Sequence, residues 1–243
     1  MALLFQLYLA HVMADFLFRS GWIARHKRRA AGFGADAAIH AACACATVNV
    51  GLTDRVLIAI AVMAGGHALV DFARARAGDD WAVFAVGQAA HSIVVTLAYL
   101  WVTTSWAQAI ETAAIAAGTA HLYLYLSAYI GVVFGGGYFI QKVTQSLLDR
   151  VGAHMASSKP GLPSAGKYIG WVERALILTF VIAGYDEAIG FLLGAKALVR
   201  YPEIKEDSKG HFAEYFLIGT LTSVGLALVT GLAVKRIVSD FLS

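Results

Sequence analysis

Between Arg55 and Asp71, from Trp81 to Ile110 and from Thr112 to Gln141, the chain carries no Asp, Glu, Lys or Arg. Runs of about 20 apolar residues are what a helix needs to cross the hydrocarbon core of a bilayer. A soluble domain carries about a quarter charged residues; here 14% are charged and 59% are hydrophobic. Too little polar surface remains to cover a globule of this size, so lipid is the natural solvent for much of it. Backbone exposed to lipid must satisfy its hydrogen bonds internally, which a helix does within one segment. The expected fold is all-α, a multi-pass transmembrane helical bundle.

Orientation follows from the basic residues. Arg25, Lys27, Arg28 and Arg29 cluster in one loop, which the positive-inside bias places in the cytoplasm. No Lys or Arg precedes the first apolar segment, so it reads as a retained span rather than a signal peptide. The N-terminus is then expected to be periplasmic, and the compartment the bacterial inner membrane. A net charge of +3 and the absence of a nucleic-acid motif give no reason to expect a nucleic-acid partner. Cys43 and Cys45, two residues apart on a helix, point in different directions and do not suit a disulfide.

About seven spans are expected. The first four cover roughly 2–18, 36–52, 56–72 and 81–102, with an outer turn at Thr103-Thr104-Ser105-Trp106. A fifth apolar stretch from Ala107 is expected to break at Gly135-Gly136-Gly137, because three glycines make a poor helix interior. An amphipathic cytoplasmic helix near 138–154 follows, with Ile140, Val143, Leu147 and Val151 at helical spacing. Beyond an exposed loop at 157–164, spans are expected at about 167–184 and 212–234. The segment 186–200, short and charged at both ends, is read as re-entrant or interfacial. The expected parts are a His/Asp repeat region at 1–102, the fifth span and amphipathic helix at 103–156, and a C-terminal helical region at 157–243.

Inside the first four spans lies a repeat. His11-Val-Met-Ala-Asp15-Phe16 is matched by His67-Ala-Leu-Val-Asp71-Phe72. Residues i and i+4 share a helix face, so each copy sets a nitrogen ligand beside an oxygen ligand. At 1.5 Å per residue, Asp15 lies roughly 6 Å before Arg19 and Asp71 about 4 Å before Arg74. His40 and His91 enter from the same side on the next span of each pair, though His91 fits the common depth least well. A parallel repeat results, with His11, Asp15, His40 answered by His67, Asp71, His91.

Ionisable groups at such depth are costly and have a partner or a function. One reading is structural: each histidine bonds its own aspartate or a neighbour. The other is a divalent metal centre with His11, Asp15, His40, His67, Asp71 and His91 as ligands, zinc foremost and iron or manganese as alternatives. Cys43, three residues after His40, reads as packing rather than as a ligand.

In the second half, Glu173-Arg174 lies within a span. The structural reading is an ion pair, with Lys196 or Arg200 as partner to Glu173 and Glu214 joining. The functional reading is a head-group site, since Lys196 and Arg200 lie one turn apart on one face and suit a phosphate. Arg19 and Arg74, just past the repeated pairs, are candidates for the same task.

These motifs together resemble the bacterial inner-membrane family called domain of unknown function 3307. The resemblance rests on His11-x-x-x-Asp15-Phe16, Trp22-Ile-Ala-Arg-His-Lys27 and His67-x-x-x-Asp71. In the second half it rests on Gly166-Lys-Tyr-Ile-Gly-Trp-Val-Glu-Arg174, Ala195-Lys-Ala-Leu-Val-Arg200 and Glu214-Tyr-Phe-Leu-Ile-Gly-Thr-Leu221, so that it covers nearly the whole chain. The family implies a class but no activity. More distantly, His and Asp ligands on helices are similar to those of predicted membrane-bound metal-dependent hydrolases.

The leading functional expectation is a membrane metal-dependent hydrolase acting on a lipid or lipid-linked ester or phosphoester near the cytoplasmic leaflet. A metal-bound water would attack, with Asp15 or Asp71 serving as general base if left unligated. The alternatives are a divalent-metal or proton transporter, which would need polar groups reaching the outer face, and a non-catalytic membrane partner. The expected surroundings are the lipid bilayer, and a homo-oligomer is compatible with such a chain.

Overall fold

The computed structural model describes residues 2–18, 26, 29–49, 51–115, 119–151, 165–206 and 211–242. Among these residues every regular element is helical and there is no strand. The helices are α1 (Ala2–Val12), α2 (Ala30–Thr47), α3 (Asp54–Ala77), α4 (Trp81–Ile115), α5 (Thr119–Ile130), α6 (Gly136–Val151), α7 (Ala165–Ala183), α8 (Asp186–Glu206) and α9 (His211–Ile237). Three π turns extend them, at Met13–Leu17 after α1, Gly131–Gly135 after α5 and Val238–Leu242 after α9. Four stretches are long and apolar enough to cross a membrane: Asp54–Ala77, Trp81–Thr103, Ala120–Leu147 and Ala213–Leu242. Ala2–Leu17 is apolar but shorter. The chain is thus a helical membrane protein, with four such stretches among the described residues against the seven expected.

Helix ends follow local chemistry. Thr53 Oγ1 accepts from Val56 N at 3.4 Å at the start of α3, and Asp80 Oδ1 accepts from Val83 N at 2.8 Å at the start of α4, each satisfying an orphan donor. Gly184, at φ 78°, ends α7 in the left-handed conformation that costs glycine nothing, and Tyr185 N closes back on Phe180 O at 2.9 Å.

Two expected breaks are absent. The turn at Thr103–Trp106 is instead the interior of α4. Thr103 Oγ1 donates back to Tyr99 O at 3.1 Å and Leu100 O at 3.2 Å, so the hydroxyl is satisfied inside the helix, and no Gly or Pro lies between residues 100 and 115. Nor does the chain break at Gly135-Gly136-Gly137: the π turn absorbs the irregularity and α6 begins at Gly136. The segment 186–200, expected to be re-entrant or interfacial, lies within one continuous helix, α8, with Pro202 in its last turns.

Two compact units result, Met1–Gly131 with Val238–Ser243, and Val132–Ile237. In the first, α1 packs against α2, α4 and α5, while α3 packs against both α2 and α4. Small residues at these seams, among them Ala10, Ala14, Ala44, Ala59 and Ala98, are almost fully buried and let the helix backbones approach closely. Leu7, Met63, Val56, Val95 and Val102 complete this core. In the second unit α9 packs along α7 and α6, and α8 lies against α7.

Candidate metal centre

Four helices of the first unit converge on one polar cage. His11 and Asp15 come from α1 and its π turn, Asp36 and His40 from α2, His67 and Asp71 from α3, and His91 from α4. All seven are buried, none more than 6% exposed. The π turn at Met13–Leu17 carries Asp15 and changes its direction relative to an ideal helix, a distortion frequent at functional sites.

The imidazoles touch one another. His40 and His67 stack at 3.6 Å between centroids, His67 and His91 at 3.8 Å, and His11 lies 5.2 Å from both His67 and His91. A neutral imidazole carries one N–H and keeps one nitrogen lone pair.

The hydrogen bonds decide which nitrogen is left over. His67 Nδ1 lies 3.2 Å from Asp36 Oδ2; a carboxylate accepts, so Nδ1–H donates and Nε2 keeps the lone pair. That Nε2 stands 3.8 Å from Asp15 Oδ1. His91 repeats the arrangement with its nitrogens exchanged: Nε2 is 3.6 Å from Asp71 Oδ1, and Nδ1 is 3.9 Å from Asp15 Oδ2. His40 donates Nδ1–H to its own helix at Asp36 O, 2.9 Å away. His11 Nδ1, His40 Nε2, His67 Nε2 and both nitrogens of His91 have no hydrogen-bond partner among the described residues.

Buried polar atoms are almost always hydrogen-bonded, so five such nitrogens in one cage demand a reason. Separations of 3.6–3.9 Å are too long for hydrogen bonds. They are close to the distance of about 3.3 Å that separates two ligands each 2.0–2.1 Å from a tetrahedral ion. One ligand atom each from His11, Asp15, His67 and His91 lie within 4.8 Å of one another, and so do those of Asp36, His40 and His67. The donor set of imidazole and carboxylate suits zinc, iron or manganese.

The expected residues fall into distinct positions. His11, Asp15, His67 and His91 form the inner group. His40 lies in the second group, stacked on His67. Asp71 stands beside the inner group, held by Arg74 Nη2 at 3.3 Å; Arg74, expected at a head group, is thereby drawn to the cage and packs 5.6 Å from the Phe84 ring centroid. Arg19 lies outside the described residues. Cys43 is buried in the apolar core and belongs to neither group.

Two members were not anticipated. Asp36, read only as the start of a span, bonds His67; its spacing of four residues from His40 is the repeated motif in reverse order, a signal present in the sequence. Gln88 donates to Asp15 Oδ2 at 2.8 Å, fixing the inner carboxylate, and nothing in its apolar surroundings marked it.

In the second unit Lys196 Nζ donates to Glu173 Oε2 at 2.5 Å, and Arg200 Nη1 to Glu203 Oε1 at 2.9 Å. Arg174 makes no ion pair among the described residues and donates to Val133 O, at 2.7 Å from Nη2 and 3.3 Å from Nε. Glu214 is exposed on α9 and makes no ion pair among the described residues.

Residues 3–117 match the model of a family described as "Protein of unknown function (DUF3307)". Over this stretch the chain resembles DUF3307. The DUF3307 match takes in all seven cage residues and leaves out the second-half motifs at 166–174, 195–200 and 214–221. No curated protein and no solved structure matches the chain.

Proposed function

We propose that the first unit binds one divalent metal ion through His11, Asp15, His67 and His91, and that it is a metal-dependent hydrolase. The observation that supports this reading is the pairing of nitrogens: His67 and His91 each turn one nitrogen to an outer carboxylate, Asp36 or Asp71, and the other to Asp15. Metal-bound histidines commonly donate their second N–H to a carboxylate, which fixes the ring and raises its basicity. Asp36 takes that outer role through its bond to His67; Asp71, 3.6 Å from His91 Nε2 and so short of a hydrogen bond, stands in the matching position outside the four ligands. His40, stacked on His67, holds that ring's plane.

A bound ion of this kind lowers the pKa of a water to near neutrality and polarises a carbonyl or phosphoryl oxygen. The site lies inside apolar helices, which favours a lipid or lipid-linked ester or phosphoester as substrate. Its depth is that of the cytoplasmic leaflet of a bacterial inner membrane, with the N-terminus periplasmic and the basic loop at 25–29 cytoplasmic. Zinc is the first candidate, with iron or manganese next.

A second reading, divalent-metal transport, draws on one feature. Gln6, fully buried and less than two turns from His11 on α1, donates to Asn49 Oδ1 at 2.5 Å, and Thr47 Oγ1 donates to Gln6 O at 3.1 Å. These groups extend polarity from the cage toward the N-terminal end of α1. Purified protein in liposomes separates the two readings. Turnover of a lipid ester that needs added zinc and is lost in Asp15→Asn supports the hydrolase; zinc flux without turnover replaces it with the transporter.

A further inference from the structure

The second unit contains a cavity of about 760 Å³, lined by α6, α7, α8 and α9, within the size range of small-ligand sites. Three cations line it: Arg174, Lys196 and Arg200. Arg174 is only 5% exposed, and its one acceptor among the described residues is the carbonyl of Val133, within the π turn. A buried guanidinium carries a large desolvation cost, and the adjacent carboxylate, Glu173, makes its bond to Lys196 rather than to Arg174. Space for it is built into the backbone. A Cβ at Gly137 would come 3.0 Å from Arg174 Nη2, and one at Gly170 would come 3.1 Å from Nη1. Glycine at both positions therefore keeps the guanidinium's seat clear.

Lys196 spends one of its three donor hydrogens on Glu173, and Arg200 spends one of its five on Glu203. Glu173 is the one acidic residue among the lining residues. The wall is thus rich in unused cationic donors and poor in acceptors, while the rest is apolar, with Ile169, Leu192 and Phe216 among the lining. Planar guanidinium groups bind phosphate oxygens in pairs, and basic pockets between membrane helices hold anionic lipid head groups. We propose that this cavity binds the phosphate of an anionic phospholipid at Arg174, Lys196 and Arg200, with an acyl chain along the apolar wall. The residues of this site all belong to the second unit, and the proposal does not rest on the metal centre.

The test uses the full chain, purified in a neutral detergent and reconstituted with phosphatidylglycerol diluted in phosphatidylcholine. Native mass spectrometry reads which lipid stays bound. Wild type is expected to retain phosphatidylglycerol over phosphatidylcholine, and Glu173→Gln/Lys196→Gln/Arg200→Gln to lose roughly tenfold or more in affinity, the effect of removing charge-assisted bonds. The paired change at 173 and 196 avoids leaving a buried carboxylate alone. Arg200→Gln alone, at a side chain 35% exposed, preserves the fold and is expected to show a smaller loss. Equal retention of both lipids by wild type, or unchanged retention in both variants, would overturn the proposal. So would binding of inorganic phosphate without lipid, which would assign the cavity to a free anion.

Discussion

Gly66→Ala tests whether the cage depends on the close approach of α3 and α4. A Cβ at Gly66 would lie 2.7 Å from Val94 Cγ1 and 3.4 Å from Cγ2, where ordinary carbon contacts sit at about 3.5–4.0 Å. Val94 is β-branched and stiff at χ1, so the helices must part by on the order of 1 Å or the side chain must leave its rotamer. Overpacking of this kind costs about 1–3 kcal/mol, offset by the gain of about 1 kcal/mol when alanine replaces a helical glycine. Gly65 supplies the control, because a Cβ there meets nothing within 4 Å. The propensity gain cancels between the two variants, so Gly66→Ala should be less stable than Gly65→Ala by about 1–3 kcal/mol. Because Gly66 adjoins His67 and Val94 follows His91 by three residues, the same displacement spreads the inner ligands. Thermal unfolding in one detergent, with and without zinc, measures both effects. Zinc should raise the midpoint of Gly65→Ala as much as that of wild type, and that of Gly66→Ala less; Val94→Ala added to Gly66→Ala should restore the response. Equal stability and equal zinc response in the two glycine variants would refute the reasoning.

Asp36→Asn keeps the shape but weakens the acceptor for His67 Nδ1–H, and loss of such an outer partner lowers metal affinity about 10–100-fold; competition with a chromophoric chelator reads it, and an unchanged affinity would remove Asp36 from the centre. Gln88→Leu frees Asp15 from its 2.8 Å bond and should weaken metal binding by a smaller factor in the same assay. Lys196→Met leaves Glu173 poorly solvated without its ion-pair partner, and should destabilise by about 1–3 kcal/mol, below the full cost of breaking a buried pair because Lys196 is partly exposed. Adding Glu173→Gln should recover most of that loss in chemical denaturation, and no recovery would mean the pair contributes only packing.

The helical membrane class could be read directly from the charge-free runs, and the cage from two copies of His-x-x-x-Asp. Periodicity places i and i+4 on one face whatever the neighbours do, which is why His11, Asp15 and His67 were found together. Linear rise fits His91 least well to the common depth, yet α4 delivers it to the stack on His67, because depth along one axis ignores how helices tilt and cross. Asp36 was hidden by its position: an acidic residue at the start of an apolar run reads as a boundary, and only the bond to His67 reveals its direction. The two missed helix continuations share a cause. Thr103 and the glycines at 135–137 are poor helix residues in isolation, but back-bonding of the hydroxyl and the π turn at Gly131–Gly135 keep the backbone satisfied. The demand for satisfied backbone in lipid then outweighs local propensity. The second unit divides in the same way. The expected ion pair of Glu173 with Lys196 forms, whereas the guanidinium of Arg174 lies in a seat made by Gly170, one turn before it, and by Gly137 on another helix, the second of which no local pattern encodes.

The most direct measurement is elemental analysis of the purified full chain beside His67→Ala/Asp71→Ala, each checked for folding by size-exclusion chromatography. One zinc, iron or manganese ion per wild-type chain, lost in the folded double variant, is the predicted result. Folded wild-type protein that takes up no stoichiometric divalent metal when it is supplied would contradict the metal centre and the hydrolytic chemistry built on it.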